Sequence, residues 1–154
     1  MMKKTRHAGF TLIELMIVLV VIGVLLMIGL PSYQNSVVRA SRNDAQGTLL
    51  GFAQAMERFY NQNYSYDGAA SGGTTTGAPD GNVFPNQAPL DGQPFYNLTI
   101  EAADDAGFTI RATPIAGSRQ DGDGIIELNS LGRRGWDQNN DGTIAAAEQT
   151  WERG

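Results

Sequence analysis

In this 154-residue sequence, residues 137–148, Asp137-Gln138-Asn139-Asn140-Asp141-Gly142-Thr143-Ile144-Ala145-Ala146-Ala147-Glu148, set oxygen-bearing side chains at a metal-ligand spacing. It matches D-x-[DN]-x-[DN]-G-x₅-E throughout, the loop spacing that surrounds Ca²⁺. A hard cation takes roughly six to eight oxygens. Asp137, Asn139 and Asp141 offer side chains at alternate positions, Thr143 a main-chain carbonyl, and Glu148 both carboxylate oxygens. Gly142 permits the sharp turn, Ile144 anchors the loop inward, and Ala145, with no side-chain oxygen, leaves its position to water. Residues 131–136 do not read as a helix, whereas Thr143 through Trp151 do. The expectation is therefore a static, EF-hand-like structural site rather than a sensor that opens a groove. Asp121 and Asp123 carry two readings: extra carboxylates for the same ion, or the Asp121-Gly122-Asp123-Gly124 turn into a strand, which is the commoner use of such residues.

Most catalytic chemistry is absent. Both lysines are Lys3 and Lys4, the sole histidine is His7, and there is no cysteine. Nucleophilic triads, zinc sites built on His or Cys, Schiff-base lysines and a P-loop lysine all require residues that positions 8–154 lack. A membrane-anchored carboxylate enzyme such as a glycosidase would need a paired-acid cleft, and no spacing demonstrates one. The sequence reads as that of a protein that is not an enzyme.

The remaining chemistry must be positioned by the elements around it. Residues 1–9 carry Lys3, Lys4 and Arg6 and no acid, and residues 10–30 are apolar with one charge, Glu14. At a rise of ~1.5 Å per residue, such a helix spans about 30 Å, the hydrocarbon thickness of a bilayer. The basic flank places the amino end in the cytoplasm. The small residues Ala8 and Gly9 precede the apolar run, so cleavage there discards the basic segment and keeps the helix. Glu14 has two readings. A carboxylate inside an apolar span calls for a partner, here the new amino group at Phe10 of its own or a neighbouring subunit; alternatively it lies near enough to the boundary to snorkel.

Gly9-Phe10-Thr11-Leu12-Ile13-Glu14 resembles the processing site of type IV prepilins, which also serves pseudopilins of type II secretion. The resemblance implies that Gly9 ends a leader at 1–9, that a prepilin peptidase cuts before Phe10, that Phe10 becomes the N-methylated terminus, and that Glu14 acts in assembly. It extends to Pro31-Ser32-Tyr33-Gln34, to residues 45–60, to Tyr96-Asn97-Leu98-Thr99, to Ala112-Thr113-Pro114 and to residues 128–132, which look like the smaller type IVa pilins, particularly PilE-like minor pilins. It further implies that residues 23–31 extend when subunits pack in a fibre. Most such relatives close the carboxy-terminal region with a disulfide, one cysteine just before the third strand and one near the end. This chain has none, and residues 137–148 stand where the second is expected. A disulfide is typically worth ~2–4 kcal/mol. Calcium at ~1 mM, bound with a dissociation constant of ~10–100 μM, supplies about 1.4–2.7 kcal/mol.

Past Pro31 the helix is expected to resume with Ser32 as its cap. Leu49, Phe52, Ala53, Met56 and Tyr60 then share one face at a 3.6-residue period, the face that packs on a sheet. Residues 61–94 hold six glycines and four prolines and read as a long surface loop, in which residues 71–77 have too little apolar surface to order themselves. Alternation at 96–101 and 108–113, a run at 125–129 and a short one at 133–136 predict three to four antiparallel strands. The fold class is α+β: residues 10–31 a transmembrane and filament-core helix, residues 32–154 a periplasmic or extracellular head.

The function this supports is a structural subunit of a type IV pilus, a minor pilin, held in the inner membrane by a single pass before assembly and at the cell surface after it. The resemblance implies other pilin subunits, the prepilin peptidase and the inner-membrane assembly platform as partners, and adhesion, twitching motility or DNA uptake as uses of the fibre. A type II secretion pseudopilin is the alternative within the class. The alternative outside it is a DNA-binding tip receptor. After leader removal 8 arginines face 16 acids, a net side-chain charge of −8, which disfavours nucleic acid overall. Arg111, Arg119, Arg133 and Arg134 remain candidates for a local patch.

Overall fold

The computed structural model describes residues 10–152. The leader, Gly9 included, lies outside the described residues. The chain divides into two compact units between Val37 and Val38.

A single helix, α1 (Leu12–Asn63), runs for 52 residues with Pro31 inside it. The expected interruption and Ser32 cap are not found. Proline deletes one N–H···O bond from the ladder, but opening the chain there would leave several backbone groups unsatisfied in an apolar run. The helix instead continues, and the Ser36 hydroxyl donates to the Ser32 carbonyl at 3.0 Å rather than capping a new start. Every residue from 10 to 30 is solvent-exposed. This stretch is long and apolar enough to cross a membrane.

In the second unit, five antiparallel strands form one sheet in the order β1-β2-β3-β4-β5. They are β1 (Gln87–Ala88), β2 (Tyr96–Ala103), β3 (Phe108–Pro114), β4 (Ile126–Asn129) and β5 (Arg134–Trp136). Four match the sequence expectation. The fifth, β1, is a two-residue pairing of Gln87 with Asn97 and Ala88 with Tyr96, too short for any period to announce. Register follows the alternation: Ile100 opposes Ile110, and Ile110 opposes Leu128. A bulge at Glu101 shifts the pairing from Ile100 to Ala102.

The inward residues of the strands, Tyr96, Leu98, Ile100, Ile110, Ala112, Ile126 and Leu128, form one cluster with Ala45, Leu49, Phe52 and Met56 of α1. Each large apolar side chain taken out of water there contributes ~1.5–3 kcal/mol. Ala53 and Tyr60, expected on the same face, pack at its margin, only partly buried.

The long loop is tied to the rest of the head at intervals and also bonded within itself, as in Ala70 N to Thr74 O (3.1 Å) and Ser71 N to Ala78 O (2.9 Å). Tyr66 N donates to Asp104 O at 3.2 Å, and Gly77 and Ile100 exchange two backbone bonds of 2.9 and 2.7 Å. Ala69 and Ala70 are fully buried. Phe84 stacks on Phe52 at 5.0 Å between ring centroids, and Tyr66 stacks on Tyr60 at 4.7 Å. The Gly- and Thr-rich segment thus combines short polar bonds of its own, such as the Thr74 hydroxyl with Ser71 O at 3.1 Å, with apolar anchors on either side that its own composition does not reveal.

Candidate functional site

The carboxy-terminal loop is built on amide-to-carboxylate bonds. Asp137 is fully buried and follows Trp136 at the end of β5, where its own N–H donates to Ile125 O at 2.9 Å. Its Oδ1 and Oδ2 accept from the N–H groups of Asp141 (3.1 Å) and Gly142 (2.9 Å). Asn139 Oδ1 also accepts from Asp141 N. Asp141 Oδ1 accepts from the Thr143 hydroxyl and N–H at 2.7 and 2.9 Å, and these bonds, the hydroxyl's first, hold its carboxyl below the usual range. Gly142 sits at φ +86°, the conformation expected of the turn glycine.

Glu148 reaches back across the loop: its Oε1 accepts from Gln138 N (2.9 Å) and Asn139 N (3.3 Å), its Oε2 from Ala145 N (3.1 Å). Only a short 3₁₀ turn, Ala146–Glu148, stands where the exit helix was expected. The alanine run favours a helix, but the Glu148 carboxylate folds back onto the loop amides within one turn. Ile144 packs against Gly135, where an added Cβ would lie 2.8 Å from Ile144 Cγ2. The structure therefore brings Asp137, Asn139, Asp141, Thr143 and Glu148 into one closed loop. Among the described residues no three His, Cys, Asp or Glu side chains converge closely enough to hold a metal by themselves.

Asp121 and Asp123 are occupied elsewhere. Asp121 Oδ2 accepts from Gly117 N at 2.9 Å inside a turn. Asp123 is the centre of a buried network that the sequence reading did not find. Arg42 Nε donates to its Oδ2 at 2.8 Å and Arg42 Nη2 pairs with its Oδ1. The Tyr96 hydroxyl donates to Oδ2 at 2.8 Å, and Gln120 Nε2 donates both to the Tyr96 hydroxyl and to Val38 O at 3.0 Å. The Arg42 guanidinium lies 3.6 Å over the Trp136 ring, while Trp136 Nε1 donates to Asp123 O at 2.7 Å. Burial first, then the Asp123 charge, pushes the Tyr96 phenol far above its ordinary value. Gly124 is pressed on the Asp137 carbonyl so closely that any Cβ would overlap it. This seam, where relatives are expected to carry a disulfide, is closed by an arginine-aspartate pair and direct backbone contact.

The candidate arginines are held in different ways. Arg111 is spanned by Glu101 (3.1 Å) and Glu127 (3.0 Å) and is locally neutralised. Arg119 lies 4.0 Å over the Phe95 ring, and Arg134 lies 4.8 Å over Trp151.

In the first unit, Thr11 and Glu14 form a reciprocal capping box at the start of α1. Glu14 Oε2 accepts from Thr11 N (2.9 Å) and the Thr11 hydroxyl (2.8 Å), and Thr11 Oγ1 accepts from Glu14 N (3.3 Å). In the uncut chain Phe10 N is a peptide amide, so the expected partnership with a free Phe10 amine arises only after cleavage.

A family model described as "Type IV minor pilin ComP, DNA uptake sequence receptor" matches residues 31–124, more than half of the chain. The chain belongs to this family of type IV minor pilins. The prokaryotic N-terminal methylation motif matches residues 4–30 of the same minor pilin, immediately before. Fimbrial protein EcpC of Eikenella corrodens is 41% identical over 73 residues, 46% of this chain and 48% of the relative. Type II secretion system core protein G of Pseudomonas aeruginosa is 29% identical over 92 residues, 59% of this chain and 65% of the relative. The matches to these curated relatives thus span about half to just under two thirds of the relatives' lengths. Among solved structures, the non-core minor pilin PilV of Neisseria meningitidis is similar at 23% identity and a TM-score of 0.49, covering 72% of this chain and 96% of that one.

Proposed function

We propose that this minor pilin is a structural subunit of a type IV pilus, inserted in the inner membrane with its amino terminus cytoplasmic, cut before Phe10 and carried into the fibre. The observation that carries the reading is the junction of two features. The methylation motif ends at residue 30, and residues 10–30, helical from Leu12, form an apolar stretch left exposed by the described residues. Such a surface calls for lipid before assembly and for other pilin helices after it. No catalytic role is assigned. The test is to shear surface filaments from cells and probe the fraction for this chain. Its presence at trace level beside a major subunit supports a minor pilin, and its confinement to the membrane fraction counts against the proposal. A pseudopilin role, suggested by the likeness to core protein G, would instead appear as a protein-secretion defect on deletion.

A DNA-contacting role at the fibre surface is the second reading, favoured by the description of the family model. Arg119, Arg133 and Arg134 have no carboxylate partner among the described residues, which leaves them available to phosphate. Salt-dependent duplex binding by the head, weakened by Arg119→Gln, is the check.

Calcium is proposed as a structural ion at residues 137–148, with Asp137, Asn139, Asp141, Thr143 and Glu148 holding it. In support, Asp137 and Glu148 are buried carboxylates without an ion-pair partner among the described residues. Two buried negative charges held only by amide dipoles suit a divalent cation. Bound there, Ca²⁺ would supply the neutralising charge. The chain's own part is to fix the oxygens, through Gly142 and the Ile144 contact with Gly135.

A further inference from the structure

β4, β5 and the carboxy-terminal loop border a half-open cavity of about 200 Å³. Arg133, Arg134, Asn129, Gln149, Ile144 and Glu127 line it. Glu127 already receives Arg111 Nη2 at 3.0 Å, whereas neither Arg133 nor Arg134 has a carboxylate partner among the described residues. The Arg134 guanidinium carbon lies 4.8 Å from the centroid of the Trp151 ring, whose Nε1 donates to Glu127 O at 3.2 Å. This cation–π contact attracts the guanidinium to the ring without using its N–H donors. Asn129 Oδ1 is taken by the N–H groups of Leu131 (3.0 Å) and Arg133 (2.9 Å), so Asn129 presents its amide N–H₂. The opposite wall is set by Ile144 against Gly135. The result is a small half-open cavity with one wall set by Ile144 and surplus hydrogen-bond donors.

We propose that this cavity binds a carboxylate-bearing ligand of monosaccharide size, a uronic acid being the simplest case, with Arg133 and Arg134 on the carboxylate and Asn129 and Gln149 on hydroxyls. The arginine fork matches a carboxylate in two-point geometry. The Glu127 charge in the wall disfavours a dianionic phosphate more than a monoanion. The volume falls below the ~300–1,000 Å³ of pockets for drug-sized ligands, which suits one sugar ring. The ligand is either a free sugar acid or the end of an acidic polysaccharide, and the clamp chemistry is the same. The inference goes beyond the fibre-subunit reading and does not rest on it.

The test is calorimetric titration of the full chain in non-ionic detergent with D-galacturonate, D-galactose, inorganic phosphate and oligogalacturonate. Saturable 1:1 binding of galacturonate and none of galactose is expected. Arg133→Gln, on an exposed side chain, should weaken binding about tenfold or more, with an unchanged melting curve. Gln149→Ala should weaken it by a smaller factor. Oligogalacturonate competing more than about tenfold better than the monomer assigns the source to a polysaccharide, and equal competition to a free sugar acid; both support the clamp. No saturable galacturonate binding, binding indifferent to Arg133→Gln, or phosphate outcompeting galacturonate would overturn it.

Discussion

Arg42 in α1 and Asp123, 81 positions later, form a two-point ion pair with side chains only 11% and 5% exposed. A pair so buried is held because each charge, once desolvated, has no substitute partner. Asp123→Asn or Arg42→Met alone should destabilise the folded head by ~3–5 kcal/mol in urea titration, whereas the double variant Arg42→Met/Asp123→Leu should recover much of the loss. Equal loss in single and double variants would contradict the pairing.

Gly124 and Gly142 have nearly the same backbone angle, φ +83° and +86°, but different surroundings. Alanine at 142 meets open space and pays only for the left-handed conformation, ~1–2 kcal/mol. Alanine at 124 must also displace the Asp137 carbonyl. Gly124→Ala should therefore lower the melting temperature clearly more than Gly142→Ala.

Tyr96 and Tyr66 give the head a dependence on alkaline pH. Burial and the bond to Glu57 push the Tyr66 phenol up to about 12, and Tyr96 is raised further. A raised folded-state value means that the native protein keeps protons the unfolded chain releases near pH ~10. Stability should be flat with respect to these groups below pH ~10 and fall as pH rises above it. Tyr96→Phe should shallow that fall in melts between pH 9 and 11.5; an unchanged slope would show that Tyr96 is not its source.

For calcium, the expected outcome is a melting temperature several degrees higher in ~1 mM Ca²⁺ than in chelator, equivalent to about 1.4–2.7 kcal/mol. Asp141→Ala should remove the difference, since Asp141 is exposed and its loss leaves the core intact. A chelator-insensitive wild type would sink the site.

The period-3.6 face of residues 49–60 and the alternation of β2, β3 and β4 were legible because burial on one side of each element writes itself into residue type. The Asp137 to Glu148 loop was legible as a motif, but the exit helix was not, because Glu148 bonds back to Gln138, Asn139 and Ala145 against the alanines' preference. The Arg42–Asp123 clamp was hidden for a different reason. An arginine on an amphipathic helix and an aspartate in a Gly-rich turn each have an ordinary local explanation, and only the tertiary fold brings them together. The same holds for Arg111, a candidate for a local basic patch in the sequence, which the sheet places between Glu101 and Glu127.

The central claim, that this chain is a processed fibre subunit, is tested most directly by mass spectrometry of its amino terminus in sheared filaments. A chain that begins at N-methylated Phe10 is expected. A chain found only in the membrane fraction, still beginning at Met1, would contradict it.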